Sequence, residues 1–431
     1  MTVAPTPATG APATGAPAGA LSHLRVLDLS RVLAGPWCTQ NLADLGADVI
    51  KIEKPGEGDD TRRWGPPFFA DENGQPTDQA CYFAVSNRNK RSVTVDMATA
   101  EGQQLIRALA AQSDVVVENF KTGGLARYGL DYASLSALNP RLIYCSVTGF
   151  GHTGPYAPRA GYDLLVQAMS GLMSVTGRSD DEPGGGPLRV GVAVIDLFTG
   201  MYATTAILGA LEARHRTGRG QHIDMALMDV AMAVLANQGA GYLNSGQVPG
   251  RLGNSHPSVV PYQDFPTADG RMLLAIGNDG QFARFCAAAG TAWAQEPRFA
   301  TNAARVVHRA ALIPMMDAVT RQRPTAEWIV LLEDKAVPCG AIHDIGQAFD
   351  DAQVQARGLA VTQRRYADGE RPAGEKVDRV VTAASPLRLS ETPPTLRHAP
   401  PALGQHTDAV LAERLGLGAD DIAGLRARGV L

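Results

Sequence analysis

The chain is 431 residues long, 45% hydrophobic and 19% charged, which suits two or three globular domains and excludes disorder over most of the length. Its net charge of −4, from 39 Lys+Arg against 43 Asp+Glu, excludes the broad basic excess of a general nucleic-acid binder. A local basic patch facing one anionic ligand stays open.

Residues 1–22 open with MTVAPTPATGAPATGAPAGA, in which Ala, Pro, Thr and Gly dominate and no charge occurs. The stretch has neither the basic start nor the apolar run of a secretory signal, and it reads as a disordered tail. From Leu24 strands alternate with helices. Leu24–Leu29 is a short buried strand, Pro36–Leu45 has helical spacing closed by Gly46, and Asp48–Ile52 is the next strand. The alternation continues through strand Ser92–Asp96, helix Thr99–Ala111, strand Asp114–Glu118, a short helix around Leu135 and strand Arg141–Ser146. Such a series predicts a Rossmann-like parallel sheet, with a ligand site in the loops beyond the carboxyl ends of its strands.

Tyr162–Met173, Leu197–Arg214 and Asp224–Asn237 read as helices, the second running into the basic loop RHRTGRG. Beyond Pro249 the composition shifts: Pro257, Pro261 and Pro266 interrupt the chain and Asp269-Gly270 predicts a hairpin turn. A smaller α+β domain is expected there. A proline-rich connector, Pro386–Pro401, precedes a last helix, Thr407–Leu415, and there is no internal repeat.

Cys38, Cys81, Cys145, Cys286 and Cys339 are scattered and form no CxxC pair, so neither a disulfide framework nor a zinc site is expected. No metal ligand set is read. The expected compartment is the reducing cytoplasm. No window holds 18 consecutive apolar residues, so no membrane span is expected either.

GxGxxG, P-loop, HExxH and GxSxG motifs are all absent. The first loop reads Ser30-Arg31-Val32-Leu33-Ala34-Gly35-Pro36, where Gly-Pro starts a helix whose N-terminus favours an anion or thioester. A plain strand–helix turn would look the same. Lys54, Arg62, Arg63, Arg88, Lys90, Arg91 and Arg127 cluster on ligand-side loops, as a ligand with several phosphates requires and as a solvated surface also allows.

VLDLSRVLAGPWCTQNLADLGADVIKIEKPGEGDDTR, NRNKRSVTVDM, DVVVENF, LNPRLIYCSVTGFG, LEARHRTGRGQ and LGQHTDAVL, in that order, resemble the class III (formyl-CoA transferase, CaiB/BaiF-type) CoA-transferases over about Leu24 to Leu431. The resemblance implies an α/β fold, with a Rossmann-like large domain and a smaller α+β domain, in chains interlocked as a homodimer. In that organisation residues 23–215 form the large domain, completed by 395–431. Linker helices occupy 216–256, the small domain 257–345 and a returning linker 346–394. The substrate pair implied is an acyl-CoA donor and a carboxylic acid acceptor. Coenzyme A enters as substrate, with no permanently bound cofactor, nucleic acid or membrane partner.

Matched position by position, the coenzyme A contacts of the family fall on Leu33 and Ala34, Lys54, Val95-Asp96-Met97-Ala98, Asn119-Phe120-Lys121, Arg127 and Val147-Thr148-Gly149-Phe150. Arg127 and Lys54 are the expected phosphate partners, Lys54 standing where formyl-CoA transferases carry Arg. The family nucleophile is an aspartate in a TGxxDGPP-like segment, and Thr176-Gly177-Arg178-Ser179-Asp180 selects Asp180. The segment then departs, with Asp181-Glu182 and three glycines following, so Asp181 competes for the role. Such a carboxylate attacks the thioester carbonyl to give an anhydride, then carries CoA as an aspartyl thioester.

Three rivals accompany this reading. An acyl-CoA racemase shares the fold, but its Gly-His-Asp is replaced by Gly161-Tyr162-Asp163, although Asp196 fits its second acid. An NAD(P) oxidoreductase lacks its fingerprint here. A non-catalytic acyl-CoA-binding protein is the third. Leu33 replaces a formyl-CoA transferase Gln, and the glycine run is replaced by Gly253-Asn254-Ser255-His256-Pro257, a pattern resembling members that use succinyl-CoA and dicarboxylic acceptors. His256 and Arg31 are the candidates for a second carboxylate, against a structural histidine in a turn.

Overall fold

The computed structural model describes residues 19–431. Of the expected disordered tail, 1–18 lie outside the described residues. Residues 19–22 form a turn, with the Leu21 N–H donating to the Leu45 carbonyl at 2.8 Å. The chain divides into two compact units. One comprises the described residues up to Ser170 with Gly191–Gly239 and Gln355–Leu431; the other comprises Gly171–Val190 and Ala240–Val354. Residues 171–190, read from sequence as large domain, thus group with the second unit.

The first unit is built on a six-stranded parallel sheet. Its strands are β1 (Arg25–Asp28), β2 (Asp48–Glu53), β5 (Lys90–Thr94), β6 (Val115–Glu118), β7 (Ile143–Thr148) and β8 (His222–Ala226), in the spatial order β5-β2-β1-β6-β7-β8. A hairpin of β3 (Phe68–Ala70) and β4 (Pro76–Ala80) stands apart. Val26, Leu27, Val49, Ile50, Val93, Val115, Val116, Val117 and Ile143 are buried, the near-continuous apolar run of strands covered on both faces. The chain builds outward from β1 through β2 to β5, then returns beside β1 with β6. The ends of β1 and β6 therefore flank the topological switch point, where open α/β sheets take their ligands.

Helix α1 (Ala34–Asp44) leaves the β1 loop, and α2 (Ala100–Ala111) starts at Thr99, whose hydroxyl accepts the Gly102 N–H at 3.0 Å. α3 (Tyr132–Leu138) follows β6. Three elements differ from the sequence reading. The strand placed at Ser92–Asp96 lies two residues earlier. The helix placed at Tyr162–Met173 is α4 (Asp163–Met169) and a separate turn, α5 (Leu172–Val175), parted by Gly171 at φ +88°. The helix placed at Asp224–Asn237 begins as strand β8, because His222–Ala226 registers in parallel with Tyr144–Thr148; α7 (Leu227–Val234) follows. Sheet pairing there overrides a helical composition.

α6 (Val194–Thr217) is long and apolar enough to cross a bilayer by length and composition, although polar residues interrupt its apolar run. In this fold Ile195, Ala203, Ile207, Ala210 and Leu211 are buried, and Gly200 lies against the Ala34 carbonyl and the Trp37 side chain at the start of α1.

In the second unit β9 (Tyr262–Pro266), β10 (Arg271–Ala275) and β11 (Cys339–Ala341) form an antiparallel sheet, the β9–β10 turn falling at the predicted Asp269-Gly270. Phe265, Met272, Phe282, Phe285, Phe299 and Trp328 fill its core. A last hairpin, β12 (Ala360–Arg364) and β13 (Arg379–Ala383), belongs to the first unit.

Candidate active site

At the switch point the first loop is gripped at Ser30, Arg31 and Val32. The Asn119 side chain, just past β6, accepts the Arg31 N–H at 2.9 Å and donates to the Arg31 carbonyl at 2.7 Å. Lys51 donates to the Ser30 carbonyl at 2.7 Å and pairs with Asp59 at 3.0 Å, both side chains fully buried. Beneath them Asp28 accepts from Ser30, Thr39 and Lys90. Burial pushes the Asp28 carboxyl up, but Lys90 and Lys51 outweigh it and hold it at about 2. Leu33 and Ala34 enter α1 buried, where first-turn N–H groups lack intrahelical carbonyl partners.

The basic cluster divides sharply. Arg62 forks onto Glu53 at 2.7 and 2.6 Å and lies 3.6 Å from the Phe83 ring centroid. Arg88 is clamped to Asp44, Arg91 to Asp48, and Lys90 is fully buried against Asp28, the Pro36 carbonyl and Asn87. These four cations are spent inside the fold, a correction to reading them as phosphate donors. Sequence spacing shows where a cation sits along the chain, but not which carboxylate it meets in the sheet. Among the described residues Lys54 pairs only with its neighbour Glu57, at the exposed surface. Arg127 is exposed, its guanidinium 4.5 Å from the Tyr128 ring centroid.

The other candidate contacts sit on this same strand-end surface. Val95 is buried, and Asp96 turns the chain into α2 by accepting the Ala98 N–H at 2.9 Å. Met97, Asn119 and Phe120 are half-buried, and Ala98 and Lys121 are exposed. Val147 and Thr148 close β7, Thr148 accepting the Gly151 N–H at 2.9 Å. Gly149 touches Gly161 so closely that a Cβ on it would lie 2.4 Å from the Gly161 Cα; Phe150 then packs edge-on to Tyr156. A cavity of about 160 Å³ lies beside Lys121, lined also by Glu118, His152 and His222. Burial pushes the Glu118 carboxyl up to about 7.

Asp180 lies in the second unit, on a loop that starts at Gly177. There φ is +120° and a Cβ would lie 2.4 Å from the Gly186 carbonyl. Its side chain is 82% exposed and ion-paired with Arg251, which is only 10% exposed. Arg251 is fixed from behind, its Nε donating to the Arg178 carbonyl at 3.1 Å and its Nη1 to the Ser174 carbonyl at 3.3 Å. Among the described residues no guanidinium pairs with Asp181; the Ser179 hydroxyl holds its carboxyl below the usual range. Arg251 escaped the sequence reading, and its one signal was its place two residues before Gly253-Asn254-Ser255-His256. His256 itself uses Nδ1 to accept the Ser258 N–H at 3.1 Å, a turn-forming role. Arg31 pairs with Asp60 at 3.1 Å.

Asp163 caps α6 from the side, accepting the Ile195 and Asp196 N–H groups at 2.8 and 3.2 Å. Burial and the Asp163 charge push the Asp196 carboxyl up to about 7. Tyr162, in the place of the racemase histidine, is 67% exposed. Among the described residues no group of three His, Cys, Asp or Glu is placed to hold a metal ion.

The chain is 52% identical to the succinate–glutarate CoA-transferase of Agrobacterium fabrum over 91% of this chain and 95% of that protein. It is 41% identical to a succinyl-CoA:glutarate CoA-transferase of Mus musculus, over 95% of this chain and 90% of that one. A crystal structure of a CaiB/BaiF family protein from Brucella suis, 48% identical, superposes with a TM-score of 0.79, covering 92% of this chain and 100% of that one. The profile of CoA-transferase family III matches residues 21–407, and the chain belongs to that family: it is a class III CoA-transferase, acting on acyl-CoA as substrate.

Proposed function

We propose that this enzyme moves CoA from succinyl-CoA, or a similar dicarboxylyl-CoA, to an organic acid acceptor, with Asp180 as nucleophile. The identity of 52% to a succinate–glutarate CoA-transferase carries the substrate reading and makes glutarate the first acceptor to try. The support for Asp180 over Asp181 is its guanidinium partner. The Asp180 carboxylate attacks the thioester carbonyl and the C–S bond breaks, giving an anhydride and CoA thiolate. The thiolate attacks Asp180 Cγ, the anhydride C–O bond breaks, and the donor acid leaves as its carboxylate. The acceptor carboxylate reverses both steps. CoA lies along the strand-end loops of the first unit, from Leu33-Ala34 through Asn119-Phe120-Lys121 to Val147–Phe150, with Arg127 and Lys54 toward its phosphates.

Two copies assemble as an interlocked homodimer in a reducing cytoplasm. Phe198, Met201, Tyr202 and Leu208 of α6 are exposed apolar side chains, the kind of surface a partner subunit covers, and all five cysteines are free thiols.

The test is a panel of CoA donors and acid acceptors read by mass spectrometry, with the peptide carrying any covalent CoA sequenced. Succinyl-CoA without acceptor should give an adduct one CoA heavier, less one water, on Asp180, and Asp180→Asn should abolish both adduct and transfer. An adduct on Asp181 moves the nucleophile by one residue. Racemisation of a 2-methylacyl-CoA with no adduct overturns the transferase mechanism.

A further inference from the structure

Arg251 is held by two backbone carbonyls of its own unit, and its remaining guanidinium edge, at Nη2, is occupied by the Asp180 carboxylate. The Arg251 side chain as a whole is mostly shielded from solvent while its partner is mostly exposed. The pair is balanced only while Asp180 carries its charge. A thioester at Asp180 Cγ is neutral, so forming it leaves a fixed, shielded cation without its anion, a costly state unless another anion arrives. The second step of the exchange makes that anion at the same carbon: the donor acid departs from Cγ as a carboxylate.

We infer that Arg251 is the binding site for the reacting carboxylates of the donor and acceptor acids, a site closed by Asp180 in the free enzyme and opened when Asp180 becomes a thioester. The inference rests on Asp180 being the nucleophile. In the thioester state Arg251 Nη2 takes the departing donor carboxylate, exchanges it for the acceptor carboxylate, and holds the latter beside Cγ. When the acceptor oxygen attacks Cγ and the C–S bond breaks, the negative charge passes to the thiolate. When the thiolate attacks the acceptor acyl carbon, Asp180 leaves as carboxylate and the ion pair with Arg251 re-forms. Charge and atoms balance at each step. The planar donor fork fits a carboxylate and discriminates against neutral nucleophiles, water among them.

The experiment separates carboxylate from neutral attack on one intermediate. Wild type, Arg251→Lys and Arg251→Gln are each charged with succinyl-CoA, freed of excess donor, and chased with glutarate or with hydroxylamine. Adduct loss is followed by mass spectrometry. Arg251→Gln should weaken the glutarate dependence of adduct loss roughly ten- to a hundredfold, the worth of a hydrogen bond to a charged group. Its hydroxylamine rate should match wild type, Arg251→Lys should fall between, and added guanidinium ion should restore part of the glutarate rate. Equal loss of both rates marks Arg251 as a scaffold residue and overturns the inference, as does an unchanged glutarate dependence. No adduct on Asp180 in wild type defeats instead the nucleophile assignment. If Arg251→Gln fails to fold, Arg251→Lys compared across the two nucleophiles decides alone.

Discussion

Val32 donates its backbone N–H to both carboxylate oxygens of Asp59, at 3.3 and 3.2 Å, while standing at φ +71°. A β-branched residue in the left-handed region is strained by about 1–2 kcal/mol and persists only when its surroundings impose it. Asp59 supplies that imposition, itself pinned by buried Lys51 and by the Thr61 N–H and hydroxyl. The next two residues, Leu33 and Ala34, are the proposed CoA contacts, so the strain falls where the loop must be pre-set. Asp59→Ala removes the ion-pair partner of buried Lys51 and leaves it only the weaker pull of Asp28 and Glu53. Chemical denaturation should show a loss of about 3–5 kcal/mol, the usual cost of removing one partner of a buried pair.

Val32→Gly is the gentler probe of the same loop. Glycine relieves the left-handed strain but loses more entropy on folding, so the two terms nearly cancel in stability. The loop is then less pre-organised, and the KM for the CoA ester should rise roughly two- to fivefold, the worth of about 0.4–1 kcal/mol of backbone ordering. An unchanged KM in a folded variant removes the strain from function.

Arg127→Ala should raise the KM for the CoA ester roughly tenfold or more while leaving kcat near wild type. The side chain is exposed, touching Tyr128 and, among the described residues, pairing with no carboxylate, so its charge is available to a ligand. A phosphate held alike in ground and transition states affects binding and not turnover. Steady-state kinetics decides: a loss confined to kcat takes Arg127 out of that role.

The parallel sheet was legible because its strands are short apolar runs between helices with recognisable caps, as at Thr99 and Gly46. The elements misread share one cause. Asp224-Met225-Ala226 has helical composition, yet it pairs with Ser146-Val147-Thr148, a contact between segments far apart in sequence that composition does not encode. The site shows the same division. Loop positions followed from strand ends, but the use of Arg62, Arg88, Lys90 and Arg91 as ion-pair partners of Glu53, Asp44, Asp28 and Asp48 depends on where the sheet brings them. Arg251 lies 71 residues from Asp180 and no local motif joins them.

The proposed homodimer is tested by sedimentation at micromolar concentration, where twice the mass of the 45.4 kDa chain is expected. Phe198→Glu on the exposed face of α6 should weaken association and leave the fold of each chain intact, since a charge at an interface core is costly whereas at a free surface it is nearly neutral. An active, stable monomer overturns the assembly.

Asp196 sets a pH signature of its own. Its carboxyl is pushed from 3.8 up to about 7 by burial and by Asp163, which is itself engaged at the start of α6. Below pH 3.8 both folded and unfolded chains hold the proton, and stability owes nothing to it. Between about 4 and 7 the unfolded chain gives up the proton while the folded one keeps it, so stability falls as pH rises. Above 7 the full cost is present, several kcal/mol at about 1.4 kcal/mol per pKa unit. Asp196→Asn cannot ionise and escapes this cost. The variant's stability relative to wild type should therefore climb from pH 4 to pH 7 and level off beyond, read by denaturant unfolding at each pH. A difference that stays flat across that range means that Asp196 ionises in the folded chain as freely as in the unfolded one.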